Sequence, residues 1–241
     1  MGSRSPGRRR GRPAGSRGAI LAAAIEEFAA QGFRGATVDA IARRARVNKA
    51  MIYYHFDNKR ALYLEILRSV FNALLDRTGA IVASDNSPDQ KLADYIDAFG
   101  AEADAHPYLP RLMMLEVADG GRRLDGPTLQ TMAGVFLNFK SILDEGAKVG
   151  AFRSVNPLLT YFNVVSPTVF YRAAKPVRES MSRLGLFEGR VDIADFSTHL
   201  KATALRGLRP DPETRSAAGG TSSGGSRKAR RTGNQSAGDN K

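Results

Sequence analysis

The stretch of sequence that decides the fold is residues 37–56, TVDAIARRARVNKAMIYYHF. Behind Thr37, apolar residues recur at the i, i+3, i+4 and i+7 spacing of one helix face. Asn48 opens a second short segment, in which Ile52 and Phe56 share an inward face. Thr and Asn are favoured helix N-caps because their side-chain oxygens accept hydrogen bonds from free backbone N–H groups. The stretch therefore predicts two short helices joined by a tight turn.

A longer helix is predicted on each side of this pair. Before it, apolar residues from Leu21 to Phe28 follow one helix face, and Gly32 is placed to end that helix as a left-handed C-cap. After it, a long amphipathic helix begins at Lys59 and extends to about Ser84. Two short helices that are joined by a tight turn and braced by a preceding helix form a helix-turn-helix, whose second helix enters the major groove of DNA.

The outer positions of the second short helix suit contact with DNA. Lys49 and the hydroxyls of Tyr53 and Tyr54 can reach phosphates, and the small Ala50 lets the backbone approach the groove. Helix N-termini also bind phosphate through free N–H groups, and both short helices have one. Taken singly, the aromatic residues could be core, the histidine a surface residue and the caps merely structural. Taken together, they predict a DNA-binding face made of Lys49, Ala50, Met51, Tyr53, Tyr54 and His55.

The order and spacing of these residues resemble the DNA-binding domain of the tetracycline-repressor (TetR) family. The resemblance covers about residues 15–75 and rests on residues 37–42, 47–56 and 58–59. In that family the third helix reads bases while residues around it hold phosphates. The resemblance therefore implies phosphate contacts by Thr37, Tyr53, His55 and Lys59. Asn48, which begins the third helix, is a further predicted DNA contact through the free N–H groups of that helix N-terminus.

Two positions depart from the family pattern, and both add positive charge. Arg46 stands in the turn where the family usually has glycine, so a positive φ there would cost about 1 kcal/mol. Its guanidinium could in return contact a phosphate. Arg60 replaces a residue that is usually acidic, although a cation in a first helical turn is unfavourable to the helix dipole. Both departures predict a more cationic DNA face.

The rest of the chain predicts an all-α protein, because alternating strand patterns are nearly absent. Capping residues and helical periodicity predict a helix that begins at Ser87 and others at about 107–119, 127–148, 157–174 and 192–207. Pro167 lies inside one of these segments and is expected to kink or split it. The predicted organisation has four parts. A basic arm at 1–14 precedes a helix-turn-helix domain at 15–75, and a helical regulatory domain at 76–208 precedes a basic tail at 209–241.

The resemblance implies that the regulatory domain binds a small-molecule effector and pairs with a second copy of the chain. The segments at 157–174 and 192–207 are the expected dimer interface. Large apolar side chains are the predicted lining of a pocket for an apolar or aromatic effector, although each of them could equally be core. They are Phe99, Tyr108, Met113, Met114, Phe136, Phe139, Tyr161, Phe162, Phe170 and Tyr171.

The net charge of +12, from 36 Lys and Arg against 24 Asp and Glu, predicts a polyanionic partner. Residues 18–208 carry only +2 of it, so most of the excess lies in two terminal segments that are expected to be disordered. Residues 9–13, RRGRP, resemble an AT-hook and predict minor-groove contacts by Arg10 and Arg12. A second basic cluster at 227–231 could touch DNA or serve only as a solubilising tail.

Several function classes are disfavoured. The absence of cysteine excludes disulfides and thiol chemistry and fits the bacterial cytoplasm, where association with the nucleoid is expected. No apolar run approaches the ~20 residues of a membrane span. Phosphate-loop, HExxH and GxSxG motifs are missing and the three histidines are scattered, so neither an enzyme, a cofactor nor a metal is expected.

Two hypotheses remain for the function. The first is a homodimeric transcriptional repressor that binds a palindromic operator and is released by a small molecule. The second is a ligand-independent, nucleoid-type or constitutive DNA-binding protein, which the basic terminal segments favour.

Overall fold

A computed structural model of the chain describes residues 14–186 and 192–210, and this part of the chain contains helices and no strand. The all-α class is therefore confirmed. Every helix within these residues is too short or too polar to cross a bilayer. The helices are α1 Ala14–Gly35, α2 Val38–Ala45, α3 Lys49–His55, α4 Lys59–Ala83, α5 Pro88–Ala105, α6 Leu109–Ala118, α7 Gly126–Lys148, α8 Pro157–Ala173, α9 Lys175–Arg183 and α10 Ile193–Leu208.

The helix before the short pair is longer than its pattern predicts. It begins at Ala14 rather than near Gly18, and a last helical turn follows Gly32 up to Gly35. Gly32 itself has φ 66° and ψ 176°, so the predicted positive φ is correct while the helix resumes beyond it. Glycine adopts this conformation without the steric penalty that a Cβ atom would bring.

Both predicted N-caps of the helix-turn-helix are confirmed. The Thr37 hydroxyl accepts a hydrogen bond from the Ala40 N–H at 3.1 Å, and the Asn48 side chain accepts one from the Ala50 N–H at 2.9 Å. The inward faces of α2 and α3 then meet α1 in one core. Its fully buried members from these three helices include Ile20, Ala24, Phe28, Ile41 and Ile52.

The turn between α2 and α3 contains a residue whose backbone lies in the left-handed helical region. Arg46 has φ 55° and ψ 40°, and among the described residues it is the only non-glycine residue with positive φ. Its backbone N–H and that of Val47 donate to carbonyls of the last turn of α2, at 3.2 and 3.0 Å. The cost considered for an arginine at a positive φ therefore applies at this position.

The helix α4 runs from the helix-turn-helix into the rest of the bundle, so it crosses the boundary predicted after residue 75. It packs most extensively along α7, and α5 lies against both. Tyr95 is fully buried there and donates to the Val135 carbonyl at 3.0 Å. At the C-terminal end of α7, a Cβ atom on Gly146 would lie 2.0 Å from the Phe152 ring, so only glycine fits.

Two features of the C-terminal helices differ from prediction. α8 continues through Pro167, so of the two predicted outcomes, a kink or a split, the split does not occur. The carbonyl that loses its hydrogen-bond donor belongs to Asn163, which is exposed and therefore accessible to water. α9 was not predicted, because its nine residues hold only Val177 and Met181 as large apolar residues at helical spacing, too few to establish a period.

Candidate nucleic-acid interface

The helix α3 presents its predicted outer face to solvent. Tyr54 is 75% exposed and Tyr53 is 48% exposed, and Lys49 and Ala50 are exposed beside them. Met51 and His55 are half-buried at the edges of this face. Large aromatic side chains rarely stay in water without a function, and a contiguous set of them marks a binding surface.

Lys49 does not extend freely from the start of α3. Its ammonium forms an ion pair with Asp39 on α2 at 2.9 Å, and the hydrogen bond to Asp39 raises the pKa of Lys49. Both side chains are about half exposed or more, and exposed pairs contribute little to stability. Breaking this pair would therefore cost little, and the pair holds Lys49 beside the α2–α3 turn.

His55 connects the end of α3 to the beginning of α1. One ring nitrogen, Nε2, lies 2.8 Å from the Ser16 hydroxyl, across 39 residues of sequence. Next to it, Arg17 pairs with Glu65 at 2.6 Å and lies over the Phe56 ring. The start of α1 is thus fixed beside α3, a contact for which the sequence carries no signal.

Thr37 and Asn48 are exposed and use a side-chain oxygen to cap their helices. Because the Thr37 oxygen accepts from Ala40, its hydroxyl hydrogen is left to donate to another acceptor. A phosphate oxygen at the start of α2 would be such an acceptor. The cap and the predicted phosphate contact are therefore compatible in this residue.

Lys59 makes contacts within the protein that the sequence does not predict. Its ammonium donates to the carbonyls of Phe33 and Ala36 at 2.9 Å each and lies 4.5 Å from the centre of the Phe33 ring. Burial, and secondarily the charge of Arg123, lowers the pKa of Lys59. Two of its three N–H donors therefore bind carbonyls at the end of α1. The third can still donate to a phosphate, and this contact remains a prediction.

Arginines around the turn add free positive charge. Arg46 and Arg43 are exposed, and within residues 14–186 and 192–210 neither forms an ion pair, whereas Arg44 pairs with Glu26 at 2.7 Å. Arg43 was not predicted as a DNA contact, although it lies off the apolar face of α2 and close to the turn. Arg60 is also exposed and donates to the Arg123 carbonyl at 2.9 Å. Arg10 and Arg12 lie outside the described residues.

The residues predicted to line a ligand pocket fall into separate places. Phe136 and Phe139 meet at Tyr161, with ring centres 5.4 and 5.5 Å away, and burial raises the pKa of Tyr161 to about 12. Phe139 has no exposed surface, so here it is a core residue. Phe99 borders this cluster, and Tyr171 stacks on Phe196. Three other predicted residues are exposed: Phe162, Phe170 and Met114. Met113 and Tyr108 are half-buried.

Two cavities among the described residues are lined by other residues than those predicted to form the pocket. One, of about 400 Å³, is an open groove between α8 and α10. The other, of about 150 Å³, lies between α1, α4 and α6, with Phe33, Tyr63, Leu115 and Arg123 in its lining.

A buried polar network adjoins the smaller cavity. Glu116 is 1% exposed, accepts from the Tyr63 hydroxyl at 3.1 Å and pairs with Arg123 at 3.2 Å. Arg123 also lies 4.9 Å from the centre of the Phe33 ring. Burial, with Glu116 nearby, raises the pKa of Tyr63. The network joins α6 to the helices that support α3, because a buried carboxylate needs these partners to offset its lost hydration.

The exposed α3, the cationic turn before it and the attached helical bundle define a helix-turn-helix DNA-binding regulator. Residues 20–66 match the family described as bacterial regulatory proteins, tetR family, and residues 88–192 match the tetracyclin repressor-like C-terminal domain. The chain therefore belongs to the TetR family, and it is a DNA-binding transcriptional regulator.

Full-length relatives agree with this assignment. The transcriptional repressor NicS of Pseudomonas putida is 25% identical over 193 residues, which cover 79% of this chain and 91% of that one. The transcriptional regulator RutR of Escherichia coli K12 is 24% identical over 80% of this chain and 90% of that one. In fold, the chain resembles FadR of Bacillus subtilis in complex with stearoyl-CoA, with a TM-score of 0.63 and 18% identity over 80% of this chain and all of that one.

Proposed function

We propose that the protein is a homodimeric repressor that binds a palindromic operator through α3 and is released by a small-molecule effector. The observation that carries the DNA contact is the exposed row of Lys49, Tyr53 and Tyr54. Beside it lie Arg43 and Arg46, which form no ion pair within the described part of the chain. Aromatic hydroxyls and guanidinium groups donate to phosphate oxygens, and the first turn of such a helix reads base edges.

Pairing of two chains is supported by the outer surface of α8. Leu158, Leu159, Phe162 and Phe170 are each more than half exposed and lie within a third of the helix circumference. The open groove between α8 and α10 runs beside them and would receive side chains of a partner. Phe196 and Leu200 of α10 pack within the chain instead, so the proposed contact rests on α8 more than on α10.

An effector is supported by the family and by an aromatic cluster in the helical bundle. The cluster around Tyr161 is built from rings in edge-on contact, which can separate to admit an apolar or aromatic molecule. The polar network at Glu116 would then transmit a shift of α6 to the helices that hold α3. A ligand can act this way only through a difference in its affinity for the two arrangements.

The first test is the recovery of bound genomic DNA fragments, followed by titration of the recovered operator with purified protein. We expect one preferred palindromic site and an affinity at least about 10³-fold above that for random DNA at the same salt concentration. Comparable affinity for random and genomic DNA would favour the ligand-independent, nucleoid-type alternative.

The second test separates the aromatic ring from its hydroxyl at Tyr53. Tyr53→Ala should weaken operator binding by about 10-fold or more, equivalent to about 1.4 kcal/mol, because it removes both a phosphate contact and the ring. Tyr53→Phe should lose part of that affinity, and Leu137→Ala, an equally exposed change on α7, should lose none. Unchanged affinity in Tyr53→Ala, with an unaltered helical circular dichroism spectrum, would contradict the role of α3.

A further inference from the structure

The side of α3 that points furthest from its own chain carries few hydrogen-bonding groups. Ile52 and Phe56 are buried and define the inner side of this helix. At about 100° per residue, Tyr54 lies opposite the midpoint of these two, and Ala50 and Met51 lie within about 60° of Tyr54, one on each side. We call Ala50, Met51 and Tyr54 the outer strip of α3. It presents a methyl group, a thioether and an aromatic ring.

The cationic and most polar side chains of α3 lie on the two flanks of the outer strip. Lys49 and Tyr53 share one flank, about 100–140° from Tyr54, and Asp39 on α2 holds the Lys49 ammonium there at 2.9 Å. His55 lies on the other flank, and the Tyr54 ring leans toward it, with ring centres 5.1 Å apart. A helix in the major groove turns its outermost side to the base edges, while its flanks face the two phosphate backbones. The flanks therefore suit phosphates, and the outer strip meets the bases.

The beginning of the outer strip can recognise only one feature of a base edge. Ala50 and Met51 both lie in the first turn of α3, which is the part of such a helix that contacts base edges. Neither side chain has a hydrogen-bond donor, and the thioether is at most a weak acceptor. Among the four bases, thymine alone presents an apolar group in the major groove, its C5 methyl. An apolar first turn therefore matches thymine and gains nothing from the polar edges of the other bases.

We propose that α3 selects thymine in each operator half-site through its C5 methyl, which packs against Ala50 and Met51. The inference rests on the proposed contact of α3 with DNA. Lys49 begins the same turn and carries donors, but its ammonium is held on the flank by Asp39, where it serves a phosphate rather than a guanine. Burial of one methyl group changes a dissociation constant about fourfold. Thymine is therefore preferred over the other bases by contact with the methyl group and not by hydrogen bonds from α3.

The test uses operator duplexes that the full chain selects from a random-sequence DNA library. Each thymine of the selected site is replaced in turn by deoxyuridine, which removes the methyl group and keeps every hydrogen-bonding group of the base. We expect the dissociation constant to rise about three- to fivefold at one or more thymines of each half-site. A selected site in which no such replacement weakens binding would overturn the inference.

Protein variants assign the methyl contact to the first turn of α3. Ala50→Gly and Met51→Ala should each at least halve the effect of deoxyuridine. Lys49→Ala is the matched control, because it should weaken binding to both duplexes equally and leave their ratio unchanged. The ratio compares two duplexes with one protein preparation, so a partly unfolded variant does not alter it. An undiminished deoxyuridine effect in both test variants would assign the methyl group to DNA shape or to another element, and would overturn the inference.

Failure of this inference can be told from failure of the proposed function. If Tyr53→Ala weakens operator binding while deoxyuridine has no effect, α3 contacts DNA but recognises another feature of it. That result overturns only the selection of thymine. If Tyr53→Ala, Ala50→Gly and Lys49→Ala all bind the operator as the wild type does, α3 does not contact DNA, and the proposed contact and this inference are both refuted.

Discussion

Replacing Arg46 by glycine should make the protein more stable and a poorer DNA binder at the same time. Arg46 holds φ 55° in the α2–α3 turn, where a side chain with a Cβ atom is strained by about 1–2 kcal/mol. Glycine removes that strain but adds about 0.5–1 kcal/mol of backbone entropy to the unfolded chain. The difference predicts a net gain of about 0.5–1 kcal/mol in the free energy of unfolding.

The measurement is urea unfolding followed by circular dichroism at one fixed protomer concentration, because dimerisation couples to stability. With a slope of about 2 kcal/mol per molar urea, the midpoint should rise by roughly 0.3–0.5 M. Arg43→Gly is the matched control, since that residue lies within helix α2 and glycine there should cost about 1 kcal/mol. Arg46→Ala should leave stability nearly unchanged, because alanine keeps the Cβ atom and therefore the strain.

Operator binding should respond to charge rather than to backbone strain. Arg46→Gly and Arg46→Ala should both weaken binding and reduce the slope of log affinity against log salt by about 0.9, the value for one lost phosphate contact. A lower urea midpoint in Arg46→Gly would refute the strain argument. An unchanged salt slope in both variants would show that Arg46 serves the turn and does not reach DNA.

Three further changes test other parts of the structure. Gly146→Ala should destabilise the fold by about 3 kcal/mol, because its Cβ atom would overlap the Phe152 ring; a urea midpoint equal to that of the wild type would contradict this packing. Asn48→Ala should lower the free energy of unfolding by about 1 kcal/mol through loss of the α3 cap. The control Ser141→Ala, at an exposed residue, should lower it little, and equal effects of the two changes would argue against the cap. Deleting residues 1–13 should flatten the salt dependence of operator binding, since Arg10 and Arg12 would no longer neutralise DNA charge; an identical slope would exclude the arm from the complex.

Much of the DNA-binding part can be predicted from local sequence. The caps Thr37 and Asn48 and the inward Ile52 depend on interactions within a few residues, which periodicity and capping preferences encode directly. The positive φ of Arg46 is indicated only by the family's usual glycine at this position. The same local rules predict most helices of the larger bundle. They miss α9, because a nine-residue segment with two large apolar residues at helical spacing is too short to establish a period.

The contacts that connect the two parts are decided only by the tertiary structure. Glu116 meets Tyr63 across 53 residues and His55 meets Ser16 across 39, and a polar residue in a sequence does not indicate which distant partner it will find. Lys59 is the clearest case, because a basic residue at the start of a helix predicts a phosphate contact but does not reveal the two carbonyls it already holds.

The predicted pocket shows the same limit. Large apolar residues can be recognised in the sequence, but hydrophobicity alone does not distinguish a cavity wall from a filled core. The fold packs Phe139 against Tyr161 and leaves Phe162 in solvent, although all three look alike as residues of helical segments. The sequence by itself determined most of the helices and the caps of the helix-turn-helix, because those depend on neighbours along the chain. Only the tertiary structure decided which side chains are buried together, because that depends on which helix faces meet.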